Sequence, residues 1–345
     1  MATSAASEES SATSEPAVRP CRSVGAVLKT VCVLAALVHP VAALLSRYDW
    51  FADLFSHFQE PALAASVLAA AVTARRHRRL ALALAVLAAL QVPPLFRYSG
   101  ANPVPPDPRA PARLRVLVAN VLHDNPRFDD LVRLIRRERP DVVGLVEYNR
   151  AWLDGLAAVR SEYPFRVEYP YGAGGIALWF RSQPASIDEP EWLVARGNCV
   201  IHASFDFAGR RRHVWVVHPT SPLYRFGTPG NLELTALADR VRDTGGSRVV
   251  MGDMNCTEGS AHFHDFLRTT GLRDSRLGFG RQPSWPTFLP YRIAIDHALV
   301  SSDLAVVDRR LGPSIGSDHF PLIFDLAPAS TNLEAQPSQA SSASR

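Results

Sequence analysis

Lysine is all but missing from this chain. Among 37 basic residues only Lys29 is a lysine, so arginine carries almost all the positive charge. That skew reads first as coding bias and only second as phosphate recognition. The formal net charge is +4, too small a balance to imply a nucleic-acid partner by itself. Cysteine is scarce too: the four are Cys21, Cys32, Cys199 and Cys256. No Cys-x-x-Cys pair and no Cys/His cluster has zinc spacing, which argues against a zinc centre. A Cys199–Cys256 disulfide stays open for a domain outside the cytoplasm. No internal repeat is present.

What is abundant is apolar sequence near the N-terminus. Hydrophobic residues make up 47% of the chain and crowd positions 24–96. Three runs stand out, at 24–45, 51–74 and 80–96, each near the length that crosses a hydrocarbon core. They predict about three transmembrane helices. A cleaved signal peptide would account for the first run alone, and the later two argue against it. Topology follows from charge. Arg19, Arg22 and Lys29 precede or open the first run, and Arg75, Arg76, Arg78 and Arg79 separate the second from the third. Short basic segments stay cytoplasmic, so three crossings place everything after Phe96 outside. Tyr48, Trp50, Phe51 and Phe55 would lie at the outer interface. Asp53, His57 and Glu60 are the weak point of the second run. The expected organisation is a disordered 1–22, a membrane region at 23–98, a Pro-rich linker at 99–112, a catalytic domain at 113–327 and a disordered tail at 328–345. The linker holds five prolines and reads as a semi-rigid spacer.

Strands and helices alternate across 113–327. Strands are expected at 114–118, 142–146, 174–180, 200–207, 213–217, around 249, at 295–300 and at 322–326. Helices are expected at 128–138, 232–242 and 262–270. The stretch Val249-Val250-Met251-Gly252-Asp253-Met254-Asn255 organises the rest. It is an apolar strand, a glycine for a tight turn, then a carboxylate and an amide two apart, on one side of an extended segment. Asn120, Glu147 and His218 also follow strands directly. Asp318 and His319 precede one, and Asp296 opens another. Each alone has a plain structural reading: a turn cap, a solvated helix start, a packed loop histidine. Polar groups recurring at the ends of strands far apart in sequence point to one convergent site.

The order Asn120, Glu147, His218, Gly252-Asp253-Met254-Asn255, Ile295-Asp296-His297, Ser317-Asp318-His319 resembles the endonuclease/exonuclease/phosphatase superfamily, the DNase I-like group. The resemblance implies an α/β fold, a four-layer sandwich of two mixed β-sheets flanked by helices. It implies hydrolysis of phosphate esters with Mg²⁺ or Mn²⁺. Glu147 would be the main metal carboxylate, with Asn120 near it and Asp318 close to the metal or to a second ion. Asp253 and Asn255 would position the attacking water and a phosphate oxygen. His319, held by Asp296, would be general base or charge stabiliser. His218 would bond a phosphate oxygen or aid the leaving group, and Arg292 would contact phosphate or be a plain surface arginine. Ala119 and Val146 stand where the family often has an aromatic residue and Gln. Leu122 replaces an acidic residue, and His218 a Tyr, of the abasic-site nuclease branch, so DNA repair is disfavoured. The membrane-anchored layout looks like exported bacterial members of the VanJ type. The expectation is therefore a membrane-anchored, extracytoplasmic phosphoesterase acting on a lipid, a lipid-linked phosphate or a nucleic acid, with no protein partner inferable. The alternative is a catalytically silent relative that binds a phosphorylated ligand or scaffolds a membrane complex.

Overall fold

The computed structural model describes residues 22–100, 102, 104–109, 112–195, 197–223 and 228–330. Cys21, most of the N-terminal segment expected to be disordered and most of the expected tail lie outside those residues. The chain opens with four helices: α1 (Arg22–Leu45), α2 (Trp50–Ser56), α3 (Gln59–Thr73) and α4 (Arg78–Phe96). There follow β1 (Leu114–Asn120), α5 (Phe128–Glu138), β2 (Val142–Val146), α6 (Arg150–Gly155), α7 (Ala157–Arg160), β3 (Phe165–Tyr169), β4 (Ile176–Phe180) and β5 (Ser186–Ile187). The second half holds β6 (Ile201–Phe207), β7 (Arg210–Val217), α8 (Thr228–Thr244), β8 (Ser247–Asp253), α9 (Ala261–Thr270), β9 (Arg273–Asp274), β10 (Asp296–Val300), β11 (Leu304–Leu311) and β12 (Leu322–Pro328).

The strands form two six-stranded sheets, ordered β11-β12-β1-β2-β4-β3 and β5-β6-β7-β8-β10-β9. Both are mixed: β1–β2 and β7–β8 run parallel, and the other pairings are antiparallel. The central strands read as unbroken apolar runs because both their faces are covered. Val116, Val118, Val142, Val146 and Leu178 point inward from one sheet to meet Val214, Val216, Val249, Met251 and Ala298 of the other. The alternate residues Leu117, Val143, Leu145 and Trp179 pack with Leu131 and Ile135 of α5 and Trp152 of α6. On the far side Trp215, Val217, Val250 and Leu299 pack with Leu237 and Val241 of α8 and Phe263 of α9. Period-2 alternation thus makes four layers. Burying each such side chain contributes about 1.5–3 kcal/mol. The sheets are close: a Cβ at Gly144 would stand 2.9 Å from the Met251 methyl.

The expectation of three transmembrane helices is not supported. Among the described residues only α4 is long and apolar enough to cross a membrane. The second apolar run breaks in two, into α2 and the 15-residue α3, and ~1.5 Å per residue leaves α3 well short of a hydrocarbon core of ~30 Å. Its polar residues account for the break. Asp49 caps α2 by accepting from the Ala52 amide at 2.8 Å. Asp53 accepts from Ser260 Oγ at 3.1 Å, and His57 Nδ1 lies 2.9 Å from Thr257 Oγ1. These groups face the second sheet's loops, so the helices dock on the domain. The Pro-rich stretch is pinned rather than free: Pro106 bridges Ala329, and the Asp107 amide donates to Pro328 O at 2.8 Å. Cys199 and Cys256 are both free and buried, in different core clusters; no disulfide joins them.

Candidate active site

The site lies where the C-terminal ends of the two parallel pairs meet. In the first sheet Asn120, the last residue of β1, pairs with Val146, and Glu147 follows immediately. In the second sheet Val217 pairs with Gly252, so His218 and Asp253 leave adjacent strands side by side. Antiparallel β10 then sets Asp296 directly opposite Asp253. Two carboxylates facing each other across a ladder repel, and the site resolves this with His319. Its Nδ1 is 2.8 Å from Asp296 Oδ2, and its Nε2 is 3.7 Å from Asp253 Oδ2.

The backbone is bent to make these ends. Leu122, Glu147 and Asn255 take left-handed φ values of 58°, 56° and 51°. Non-glycine residues rarely adopt this region without compensation. At Gly252 a Cβ would fall 1.9 Å from Val217 O, so only glycine allows β8 to approach β7 there. The left-handed turn ends the strand alternation expected for Asp253 and Asn255. Asp253 Oδ1 instead accepts from the Asn255 amide at 2.9 Å, an Asx turn, while Asn255 Nδ2 donates to Pro219 O at 2.9 Å.

Asn120 ties the two sheets together. Its Nδ2 donates to Glu147 Oε1 at 3.0 Å and to Asp253 Oδ2 at 3.0 Å, and stands 3.4 Å from His319 Nε2. Its oxygen accepts from the Leu122 amide at 3.0 Å. Asn120, expected near the metal carboxylate, thus lies beside Glu147 and turns its amide donor to the cluster. His218 Nε2 is 3.6 Å from Asp253 Oδ2. Asp318 Oδ2 accepts from Trp285 Nε1 at 2.9 Å, and its Oδ1 lies 4.0 Å from His319 Nε2. Arg292 is not brought into the cluster. Its Nε donates to Leu289 O at 3.1 Å, and its guanidinium lies 5.2 Å from the Phe320 ring centre.

Charge states follow from these contacts. Burial opposes a charged His319, but Asp296 and Asp253 outweigh it and push the imidazole up to about 10. Burial likewise opposes ionising Asp296, yet His319 more than offsets it and the carboxyl pKa is lowered. Asp253 goes the other way: burial raises its pKa, against the pull of His319 and reinforced by Asp296. For Glu147, burial is outweighed by His218 and by hydrogen bonds from His123 and Asn120, so its pKa is lowered.

The donor set suits a hard cation. Glu147 is held ionised, and Asp318 Oδ1 is buried without a hydrogen-bond partner among the described residues. Carboxylate oxygens with room for retained water are what Mg²⁺ takes. Asp253, Asp296 and His319 also bring ligand atoms within 4.8 Å of one another. There the Asp296–His319 hydrogen bond uses the imidazole Nδ1 and leaves Nε2 towards Asp253 and Asp318.

Four contributors had no role assigned by the sequence reading. His123 Nδ1 lies 3.0 Å from Glu147 Oε2. Ser317 Oγ donates to Asn120 O at 2.8 Å and accepts from the His319 amide at 3.0 Å, locking the last motif onto β1. Trp285 orients Asp318. Glu233 of α8, buried, accepts from the Thr220 amide at 2.7 Å and from the Asn198 amide, fixing the loop after His218. Ser317 and Trp285 lay inside or beside motifs already noted. His123 and Glu233 carried no local pattern.

The sequence model of the Endonuclease/Exonuclease/phosphatase family matches residues 117–319, which spans every motif above. No curated protein matches by sequence. Several solved structures share the fold. D. rerio TDP2 complexed with single-strand DNA product is 18% identical over 62% of this chain and 98% of its own, with a TM-score of 0.53. The endonuclease/exonuclease/phosphatase from Bacteroides vulgatus is 18% identical over 63% and 99%, with a TM-score of 0.51. The human Nocturnin catalytic domain with bound sulfate anion is 18% identical over 63% and 94%, with a TM-score of 0.50. At these identities the likeness is one of fold.

Proposed function

The chain belongs to the endonuclease/exonuclease/phosphatase family, and from that premise we propose that it is a divalent-cation-dependent hydrolase of phosphodiesters or phosphomonoesters. We further propose that it is membrane-anchored and works at the extracytoplasmic face. The observation that carries the chemistry is the hydrogen-bonded string Glu147–Asn120–Asp253 beside His319–Asp296, drawn from both sheets.

Glu147 and Asp318 would hold the cation, Mg²⁺ or Mn²⁺, which would neutralise charge on the phosphate oxygens. His319, kept protonated by two carboxylates, faces the phosphate as an imidazolium and stabilises the charge that builds on an oxygen. Asp296 fixes the ring through Nδ1. Asp253, with its pKa raised, accepts the proton of the attacking water. Asn120 Nδ2 holds Asp253 and Glu147 in register. His218 Nε2 borders the leaving group, and Asn255 braces the Asp253 turn. No position of this set is filled by an incompetent side chain, so no observation favours the silent-binder alternative.

The proposed anchoring rests on α4. Arg78 and Arg79 open it, and Arg75 and Arg76 precede it. With the Arg75–Arg79 segment cytoplasmic, the far end of α4 and the domain docked there would lie outside. The chemistry is tested with the full chain on p-nitrophenyl phosphate and bis-p-nitrophenyl phosphate. Hydrolysis is expected with Mg²⁺, lost with chelator and restored by added ion; hydrolysis of neither ester sinks the reading. Alkaline phosphatase fused after Ser99 is expected to be active, whereas fluorescence of a green fluorescent protein fusion there would overturn the topology.

A further inference from the structure

The loop at residues 287–292 connects two parts of the molecule. On one side it is bonded to the catalytic cluster. The Thr287 amide donates to Asp318 O at 2.8 Å, and Thr287 Oγ1 donates to Ser317 O at 3.0 Å. On the other side it is bonded to the helices. Tyr291 donates to Glu60 Oε2 at 3.1 Å, and its ring stacks on Phe58 at 6.2 Å between centres. Between these two anchorages Phe288 is 73% exposed and Leu289 is 47% exposed. A loop fixed at both ends therefore holds an aromatic and an aliphatic side chain out in solvent, immediately after a residue that touches the backbone of Asp318.

The apolar surface does not stop at the loop. Through the Phe58–Tyr291 contact it continues onto Phe51 and Phe55 at α2, both exposed, and α4 exposes Leu82, Val86, Leu90 and Phe96 along the one helix able to cross a membrane. The ends of α1 and α4 meet the domain at the same junction. Arg47 pairs with Asp265, and Tyr98 lies under the Arg276 guanidinium. A groove there is lined by Arg97, Arg268 and Arg273, three guanidiniums placed where anionic head groups would sit. Exposed apolar side chains near a helix able to cross a membrane, with cations at the same junction, are the pattern of a membrane-contacting face.

We propose that residues 287–292 form a lipid-contacting rim, and that the substrate is a membrane lipid whose phosphate head group the rim delivers to the catalytic cluster while its chains stay in the bilayer. This rests on the hydrolase and anchoring readings above. It adds a substrate class and a device: Phe288 and Leu289 enter the bilayer surface beside α2, and Trp285 and Thr287 carry that position to Asp318.

Two measurements on the full chain in vesicles of phosphatidylcholine and phosphatidylglycerol test it. An environment-sensitive dye on Phe288→Cys should shift to the blue and be quenched by lipid-borne nitroxides. A dye open to aqueous iodide overturns the rim. The second compares hexadecyl p-nitrophenyl phosphate in the vesicles with methyl p-nitrophenyl phosphate in solution, which share one reacting group. The double variant Phe288→Asp, Leu289→Asp should lower kcat/KM on the hexadecyl ester about tenfold more than on the methyl ester. Equal losses on both esters overturn the proposal, as does an oligonucleotide preferred over the hexadecyl ester. If the unsubstituted chain hydrolyses neither ester, the hydrolase reading and the substrate class fail together, and the dye still decides the rim. Retained turnover of the methyl ester shows that the double variant is folded.

Discussion

In each sheet a central parallel pair is flanked by antiparallel strands, and in each the ends of that pair carry polar groups into the site. The two sheets equip those ends differently. The first presents Glu147, whose side chain keeps 16% of its surface, beside His123, which keeps 43%. The second presents Asp253 at 2% and, opposite it, Asp296 at 5%. One half of the site is open and its carboxylate is held ionised. The other half is closed, and its charges are fixed by one another. On the proposed reading the comparison implies a division of labour: the exchangeable ion would sit on the open half, and the charges that hold His319 on the closed one. Asn120, bonded to both, is the only donor among the described residues that spans them.

This division is broken most directly at Glu147. Glu147→Gln keeps the shape and removes the formal charge that a hard cation needs. Hydrolysis should fall to background while thermal melting stays within about 1 kcal/mol of the parent. Activity with an unchanged divalent-ion titration would show that the open half is not the ion's half.

The closed half should fail differently. His319→Ala and Asp296→Asn are each expected to lower kcat by roughly 10²–10³-fold and to leave the midpoint of the metal titration in place. Because the pair acts as one unit, the double variant should be little worse than the worse single one. Losses that multiply in full would separate the two residues.

A third test reads the closed half through stability. Burial, with Arg276 nearby, holds His297 down to about 4, and its Nε2 lies 2.8 Å from Cys256 O. A folded pKa below the unfolded 6.5 means that the unfolded chain binds more protons, so stability is lost as pH falls from 6.5 towards 4. The loss is on the order of 3 kcal/mol. His297→Asn should flatten that part of the curve in denaturant titrations across pH. An unchanged slope would assign the acid sensitivity to other groups.

The smallest effect is expected at His123 on the open half. His123→Ala removes a partner of Glu147 without removing charge from the ion's ligand, and should weaken divalent-ion affinity about tenfold with kcat at saturating ion preserved. A fall in kcat at saturating ion would make His123 part of the chemistry.

The central strands and the residues at their ends were legible because β1, β2 and β8 are apolar on both faces and stop at a polar group. The edge strands β3 and β11 were not. Their polar residues, Arg166 and Glu168 in one and Asp308, Arg309 and Arg310 in the other, hide the alternation. Asp253 and Asn255 were identified as polar site residues, but their geometry was misjudged, since a positive φ at Asn255 leaves no trace in spacing. Asp53, His57 and Glu60 were read as defects in a membrane span. Their meaning lay about 200 residues away, in Thr257, Ser260 and Tyr291. Long-range docking of that kind has no local signature. His123 and Glu233 were illegible for the same reason.

Strand β1 pairs on one side with β2, its near neighbour, and on the other with β12, where Leu114 faces Leu326. The ribosome therefore finishes Asn120 and Glu147 about 170 residues before it makes His319, which immediately precedes β12. With strands this distant in sequence sharing one sheet, closure of the first sheet waits until β12 has been made. The same event that completes the hydrophobic core also brings the imidazolium to Asp253. A nascent chain that has not yet reached β12 is thus expected to have no hydrolytic activity.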